Sequence, residues 1–393
     1  MTKLLLSCDD YAYLHEGIYY TKLELIQFYQ RYLRVFDKVR VVCRCLEEKE
    51  LSINRVRFDS NPNIEICPVP FFQGPKEYAK VYLKVGRSAH NAIEGCDVAI
   101  LRIPSTVALR VGKYVRRAGI PYACEVVFDA QDGWKGEKGI NRFAWKLIDK
   151  QMRGICSTAD GVSCVTEKYL QQHYFPTNSD AFTSNYSSLA LPETFYSGPR
   201  VYPQKDTIII AHIANQVEFN GRKGQNELLY TLKKLKQKGI KVKLRFAGKD
   251  YYGGVDKLHR LAAVLGVEEM VEFTGFLCRK ELGIFLDNAD IYVMPTKAEG
   301  LPRVVIEAMA KGLPCITTPV SGNPELIDSH FLVSYNDTDT LANRVEELCC
   351  NAELYEKISR VNFERSKKYE ESLLQARRDD FYMKLKERAM RRL

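Results

Sequence analysis

The feature that most constrains this sequence is a regular alternation of strand-like and helix-like segments, which occurs twice. The first series runs from about residue 3 to 165 and the second from 207 to 318. Such alternation predicts β-α-β units and parallel sheets. Because 393 residues exceed what one hydrophobic core usually supports, we expect an α/β chain with two Rossmann-like domains.

The individual segments follow from hydrophobic periodicity and from Gly and Pro punctuation. In the first series the predicted strands are 3–7, 39–44, 63–69, 97–103, 122–127 and 161–165, and the predicted helices are 23–36, 78–94 and 106–118. In the second series the predicted strands are 207–213, 242–247, 271–274, 291–295 and 315–318, and the predicted helices are 224–238, 255–265, 279–287 and 302–311. Each series therefore predicts its own parallel sheet.

The periodicity fails between residues 176 and 205, where Asn, Ser, Thr, Pro and Gly are frequent. We place the domain boundary there, with an N-terminal domain at 1–185 and a second domain at 195–370. The helix-prone segment 372–393 is expected to pack on the first domain through an apolar stripe of Leu373, Leu374, Phe381, Tyr382 and Leu385. A basic helix that lies on a membrane surface is the alternative. In the predicted arrangement the two sheets face a central cleft, where the carboxyl ends of parallel strands bind ligands.

Charge and cysteine content limit the function classes. The formal net charge is +9, with basic clusters near residues 31–44, 110–117 and the C-terminus. Solvated helix faces explain these clusters, or else they attract phosphate-bearing ligands or an anionic membrane; no motif indicates nucleic acid. The sequence shows no signal peptide and no apolar run of membrane-spanning length. The 12 cysteines lack metal-site spacing, so we expect reduced thiols in a cytoplasmic protein.

The segment from 295 to 314 is the most informative for chemistry. A strand ends, a Glu-Gly turn follows, and Pro302 fits the first turn of a helix that Gly312 terminates. The backbone N–H groups in the range from Gly300 to Val304 would then point toward a ligand. The positive end of the helix dipole at this place suits a diphosphate. Glu299 and Glu307 would bracket that ligand. A plain structural connector remains the alternative for such a turn.

The motif Pro-Thr-x-x-Glu-Gly-Leu-Pro-x-x-x-x-Glu-Ala-Met-Ala-x-Gly-x-Pro, followed by Ser-Gly-Asn-Pro-Glu-Leu-Ile at 321–327, resembles the family 4 retaining glycosyltransferases of the GT-B fold. The resemblance implies that Glu299 contacts hydroxyls of the donor sugar and that Glu307 holds the ribose. It places Gly275 and Phe276 beside the nucleobase and Lys223 against the donor phosphates. The family's arginine falls near Gln216 or Val217 here, so Arg222 is the candidate for the second cation.

The first half of the chain resembles the family more weakly. Gly17 matches the family's glycine loop near the diphosphate, which would make it part of the donor site. Where many relatives carry a histidine, this chain has Glu125 and Asp129, which we expect to bind acceptor hydroxyls; loop capping is the alternative.

The resemblance implies transfer of a sugar with retention from a nucleotide-sugar donor, without a metal or another cofactor. Lys223, Glu299 and Arg222 would be the catalytic residues, and negative charge on the leaving diphosphate would be stabilised by the cations and the helix start. The expected acceptor is a glycan or a polyprenyl-linked sugar in bacterial surface polysaccharide synthesis. A nucleotide-sugar 2-epimerase and a catalytically silent nucleotide-sugar binding protein are the alternatives.

Overall fold

The protein is described from a computed structural model, which covers residues 1–52, 54–134, 138–189 and 191–391, without the side chain of Trp134. The chain forms two compact units. The first unit comprises Met1–Tyr186 and Gln375–Leu393, and the second comprises Ser187–Leu374. Residues 392 and 393 of the predicted C-terminal helix lie outside the described part of the chain.

The first unit is an α/β layer structure. Its strands are β1 (Lys3–His15), β2 (Ile18–Lys22), β3 (Lys38–Glu47), β4 (Arg55–Arg57), β5 (Ile64–Pro70), β6 (Val98–Ile103), β7 (Tyr122–Val126), β8 (Gly161–Cys164) and β9 (Phe182–Asn185). Its first helices are α1 (Leu23–Gln30), α2 (Gly74–Ala92), α3 (Thr106–Arg117), α4 (Ala130–Trp134) and α5 (Gly139–Cys156).

Parallel pairing runs through most of this sheet, in the order β5-β3-β1-β6-β7-β8-β9. The strand β1 is longer than predicted because it continues past an irregularity between Ser7 and Tyr11. Its first part pairs with β6, and its last part, from Tyr13, pairs with the antiparallel β2 instead. The antiparallel β4 then pairs with β2.

The helices of the first unit also differ from the sequence prediction. The predicted helix 23–36 ends at Gln30 and is followed by a 3-10 turn at Tyr32–Arg34. Helix α5 is absent from the prediction, although Ile140, Phe143 and Leu147 have helical spacing that indicates it.

The second unit repeats the alternation. Its elements are β10 (Ile208–Gln216), α6 (Gln225–Gln237), β11 (Val242–Lys249), α7 (Gly254–Leu265), β12 (Val271–Phe273), α8 (Arg279–Asp287), β13 (Ile291–Met294), α9 (Arg303–Ala310), β14 (Cys315–Thr317), α10 (Asn323–Leu326), α11 (Thr338–Cys350) and α12 (Ala352–Ser366). All strands are parallel, in the order β12-β11-β10-β13-β14. The predicted α/β class with parallel sheets is confirmed.

The chain ends in helix α13 (Glu371–Met390), whose residues from Gln375 onward belong to the first unit. Of the stripe predicted to dock, Leu374, Phe381, Tyr382 and Leu385 are buried, whereas Leu373 is 47% exposed. The ring of Phe381 lies 4.9 Å from that of Phe182, and Asp379 forms an ion pair with Arg34.

None of the described helices combines the length and apolar character needed to cross a bilayer.

Candidate active site

The candidate site lies at the carboxyl ends of the strands in the second unit. A close backbone contact between Gly224 and Pro295 shapes it. Gly224 precedes helix α6 with a φ of +74°, and a Cβ atom there would lie 1.9 Å from the carbonyl oxygen of Pro295. Only glycine tolerates both the left-handed conformation and this approach. The backbone around residue 223 is thereby held against the segment that follows β13.

This contact brings Lys223 and Glu299 together. The Nζ atom of Lys223 donates to Oε1 of Glu299, and both side chains are partly accessible to solvent. The hydroxyl of the buried Thr296 lies 3.4 Å from the same carboxylate oxygen and 3.3 Å from the carbonyl oxygen of Arg222. A second bond, 2.8 Å long, runs from the backbone N–H of Lys297 to that carbonyl oxygen. The two loops therefore form one hydrogen-bonded unit with a cation and a carboxylate at its surface.

The start of helix α9 supplies backbone donors beside this pair. The N–H groups of Gly300 and Leu301 have no backbone acceptor among the described residues, while the carbonyl oxygen of Gly300 accepts from the N–H of Gly322 at 3.0 Å. Pro302 is the N-cap of the helix, with ψ of 107°, and the prediction that it lies in the first helical turn is wrong by one residue. Free N–H groups at a helix start favour an anion.

Glu307 lies one turn into α9. Burial raises the pKa of this carboxyl group to about 7, and the nearby Arg303 and Arg279 act in the opposite direction. A carboxylate that is poorly solvated gains from ligand hydroxyl groups, because each hydroxyl can donate to it. Its position is thus suited to binding a diol.

The raised pKa of Glu307 predicts how the substitution Glu307→Gln changes the free energy of unfolding. Between the ordinary value of 4.5 and about 7 the folded chain retains a proton that the unfolded chain releases, so the wild-type free energy of unfolding falls as pH rises through this window. We expect the variant to gain about 3 kcal/mol relative to wild type between pH 4.5 and 8. Denaturant unfolding at both pH values measures the gain. Glu353→Gln, at an exposed position on α12, is the control, and equal pH dependence in all three proteins would contradict the assignment.

An exposed aromatic side chain follows β12 at the same edge of the sheet. Gly275 follows β12 with a φ of +77°, and its carbonyl oxygen accepts from the N–H of Gly248 at 2.8 Å. The next side chain, Phe276, is 62% exposed, and the Nζ atom of Lys249 lies 4.4 Å from the centre of its ring. A planar base can stack on such a ring, and the role predicted for residues 275 and 276 stays a prediction.

The sequence interpretation missed a polar group on β10. Gln216 occupies the position near which the resemblance places an arginine, and its Nε2 atom is buried without a hydrogen-bond partner in the described part of the chain. Its carbonyl oxygen accepts from the side chain of Gln225, at the start of α6. An unpaired amide donor is a candidate phosphate ligand. The side chain of Arg222, the predicted second cation, is exposed.

The predicted acceptor role of Glu125 is wrong. Glu125 is 2% exposed and accepts hydrogen bonds from Tyr32 at 3.0 Å, Tyr186 at 2.9 Å and Tyr382 at 2.7 Å, and it pairs with Arg102 at 2.5 Å. Burial opposes ionisation, but the guanidinium and the three hydroxyl groups keep the pKa of Glu125 below its ordinary value. Both oxygens are used inside the first unit, so neither is available to an acceptor.

Asp129 is buried in the same way, and its predicted acceptor role is also wrong. Its carboxylate accepts from the hydroxyls of Tyr169 at 3.0 Å and Tyr174 at 2.8 Å, and from the backbone N–H of Gln131 at 2.9 Å. The last bond caps the start of α4, which is the loop-capping alternative.

Gly17 has a structural role in the first unit. Because β1 continues to His15, Gly17 forms the turn of a two-residue hairpin, in which Glu16 and Gly17 have φ values of 49° and 79° and His15 pairs with Ile18. Positive φ at both turn residues explains this glycine without a ligand. Its place in the donor site stays a prediction.

A family model described as glycosyl transferases group 1 matches residues 204–365. This span contains the Lys223 and Glu299 pair, the start of α9 and Glu307. Residues 204–365 form a group 1 glycosyl transferase domain.

Relatives extend the likeness of this chain into the first unit. The protein CapJ of Staphylococcus aureus is 24% identical over 322 residues, which cover 81% of this chain and 79% of CapJ. The putative colanic acid biosynthesis glycosyltransferase WcaL of Escherichia coli K12 is 30% identical over 152 residues, or 36% of this chain and 37% of WcaL. The likeness to WcaL thus covers little more than a third of either protein.

Solved structures match the whole chain. Sucrose-phosphate synthase from Thermosynechococcus elongatus covers 99% of it with a TM-score of 0.71 at 16% identity, and all of that structure is matched. HepE from Anabaena, in complex with UDP and glucose, covers 97% with a TM-score of 0.65 at 16% identity, and 99% of that structure is matched. The chain has the GT-B fold, as predicted.

Proposed function

We propose that this chain is a retaining, metal-independent glycosyltransferase that moves a sugar from a nucleotide donor to an acceptor of bacterial surface polysaccharide synthesis. The observation that carries the proposal is the Lys223 and Glu299 pair beside the free N–H groups at the start of α9. The twelve cysteines are all free thiols, which fits a reducing cytoplasm.

The donor diphosphate is proposed to bind where positive charge and unpaired donors meet. Lys223 supplies the cation, Gly300 and Leu301 supply backbone N–H groups, and the amide of Gln216 supplies a further donor. Arg222 is the candidate for a second cation. The backbone N–H groups and the buried amide of Gln216 are fixed before the ligand arrives, so they can stabilise the charge that develops on the leaving phosphate without reorganisation.

The sugar and nucleoside are proposed to bind on the two sides of this phosphate site. Glu299 would accept hydrogen bonds from sugar hydroxyls, Glu307 from the ribose, and the base would lie at Gly275 and Phe276. The structure of HepE contains UDP and glucose, which supports a nucleotide sugar as the ligand of the present chain.

These roles predict different losses for two variants. Glu307→Ala should weaken binding of the nucleoside diphosphate and of the nucleotide sugar alike, by about tenfold or more, because a hydrogen bond to a charged group contributes about 1.5–3 kcal/mol. Glu299→Ala should leave the nucleoside diphosphate within about twofold of wild type and weaken only the intact nucleotide sugar. Isothermal titration with both ligands tests this, and the same loss for both ligands in both variants would show that the roles are wrong.

Metal independence is tested by chelation. We expect full activity after exhaustive treatment with EDTA, because Lys223 and the helix start neutralise the diphosphate. The measurement is initial rate before and after chelation, with Mg²⁺ and Mn²⁺ added back. Activity that returns only with added metal would contradict this part of the proposal.

The two alternative activities give different products. A transferase releases nucleoside diphosphate when a lipid-linked or glycan acceptor is added, an epimerase changes the nucleotide sugar without an acceptor, and a silent binding protein does neither. Chromatography of the nucleotides with and without acceptor distinguishes them. The likeness to WcaL, a putative colanic acid biosynthesis glycosyltransferase, supports a polysaccharide acceptor.

A further inference from the structure

The first unit contains a cavity of about 800 Å³, within the range of about 300–1,000 Å³ that small-molecule sites occupy. It lies beside Pro104 and Ser105, which directly follow β6, and beside Asp9, which lies where β1 departs from its pairing with β6. Open α/β sheets bind ligands at this edge. The buried Glu125 and Asp129 do not line it, so the cavity is separate from the acceptor residues expected from the sequence.

One wall of the cavity is an uncovered apolar face of α5. Ile140, Phe143 and Leu147 lie on one side of this helix and are 54%, 69% and 45% exposed. The buried side chains of α5 are confined to its second half, from Asp149 onward. Three large apolar side chains left in contact with water beside a cavity indicate an apolar ligand.

The opposite wall is cationic. The Arg110 guanidinium lies 4.2 Å from the ring centre of Tyr82, and its Nε atom is buried without a hydrogen-bond partner among the described residues. Lys113, one turn further on α3, is exposed and has no carboxylate partner in the described part of the chain. Arg44 is 7% exposed and pairs with Asp9 at 2.9 Å, while its Nε atom is also unpartnered. Three cations therefore face one carboxylate.

The sequence of α2 leaves room for the guanidinium group of Arg110. A Cβ atom at Gly86 would lie 2.6 Å from an amino nitrogen of Arg110, so glycine at this position leaves room for the side chain. The hydroxyl of Tyr82 accepts from the same guanidinium at 2.6 Å. Arg110 is thus held in place without an acidic partner, which leaves its charge available to an anion.

We propose that this cavity binds a phosphate-linked lipid, whose apolar chain lies on the α5 face and whose phosphate contacts Arg110 and Lys113. The inference rests on the proposed glycosyltransferase function, for which it identifies the acceptor as a sugar carried on a lipid phosphate. An uncharged glycan fits neither wall, since it offers no apolar chain and no anion. A free phosphate would leave the apolar wall uncovered.

The test is calorimetric titration of the full-length protein with farnesyl diphosphate, at concentrations where this lipid is monomeric. We expect saturable binding at least tenfold tighter than that of inorganic pyrophosphate. Lys113→Gln should weaken it at least fivefold, and Phe143→Ser should weaken farnesyl diphosphate but not pyrophosphate. Arg117→Gln, one turn along α3, and Leu83→Ser, an exposed apolar position on α2, are the matched controls and should bind as wild type does.

Lys223→Ala separates this proposal from the proposed function, because a diphosphate can also enter the donor site. Lipid binding that survives in Lys223→Ala and is lost in Lys113→Gln supports the cavity, whether or not transfer activity is found. The reverse pattern overturns it. Equal affinity for pyrophosphate and farnesyl diphosphate, or adsorption to phosphatidylglycerol vesicles with no binding of the monomeric lipid, also overturns it. Thermal unfolding near the wild-type temperature shows that each variant is folded.

Discussion

Replacing Lys223 with alanine should lower kcat/KM by about 10²-fold or more, which corresponds to about 3 kcal/mol of lost transition-state stabilisation. Lys223 pairs with Glu299, which lies just before α9, and its charge is proposed to meet the leaving diphosphate. The substitution also removes the ion-pair partner of Glu299, so the loss combines weaker phosphate binding with an unpaired carboxylate.

The measurement is the initial rate of nucleoside diphosphate release over a range of donor concentrations. Lys241→Ala is the control, because Lys241 is a lysine of the same unit that lies just before β11, at the other end of the sheet. Wild-type kcat/KM in Lys223→Ala would remove this residue from the catalytic machinery. A loss of equal size in the control would show that the assay reports net charge instead.

Replacing Gly224 with alanine should destabilise the second unit by about 3 kcal/mol or more, because a left-handed φ costs about 1–2 kcal/mol and a severe clash is added. The added Cβ atom would lie 1.9 Å from the backbone oxygen of Pro295, which cannot rotate away as a side chain would. Gly239→Ala separates the two contributions: Gly239 also has a φ of +74°, yet no heavy atom lies within 4 Å of its Cβ position.

We therefore expect the control to lose only about 1 kcal/mol. The measurement is thermal unfolding, followed in the transition that a bound nucleoside diphosphate shifts upward. Equal losses in the two variants would show that conformational strain, and not the contact with Pro295, makes glycine necessary. Nucleotide affinity should also fall in Gly224→Ala, since the contact positions Lys223.

The strands and helices of the second unit could be predicted closely, because each is short, periodic and bounded by Gly, Pro or Asn. The predicted helix 279–287 coincides with α8, and the other predicted bounds differ by a few residues. The pairing of Lys223 with Glu299 is different, since 76 residues separate them along the chain. No local pattern indicates that Gly224 packs on Pro295; the resemblance to a family supplied the candidates, and the three-dimensional contact supplies their geometry.

The predictions for Glu125 and Asp129 failed for the same physical reason. An acidic residue at the end of a strand has the same sequence signature whether it faces a ligand or the interior. The donors that satisfy Glu125 come from Tyr32, Tyr186 and Tyr382, which are 93, 61 and 257 residues away. Tertiary packing alone determines such a network. The hairpin around Gly17 escaped detection because the irregularity in β1 interrupts the strand pattern.

The hydrogen bond between Tyr382 and Glu125 also constrains when the first unit can complete its folding. The ribosome makes the 186 residues of the first unit, then the entire second unit, and only afterwards the helix residues that complete the first. Until α13 arrives, Glu125 lacks one of its three hydroxyl donors and the ring of Phe182 lacks its contact with Phe381. The first unit therefore reaches its final packing only after the whole of the second unit has been synthesised.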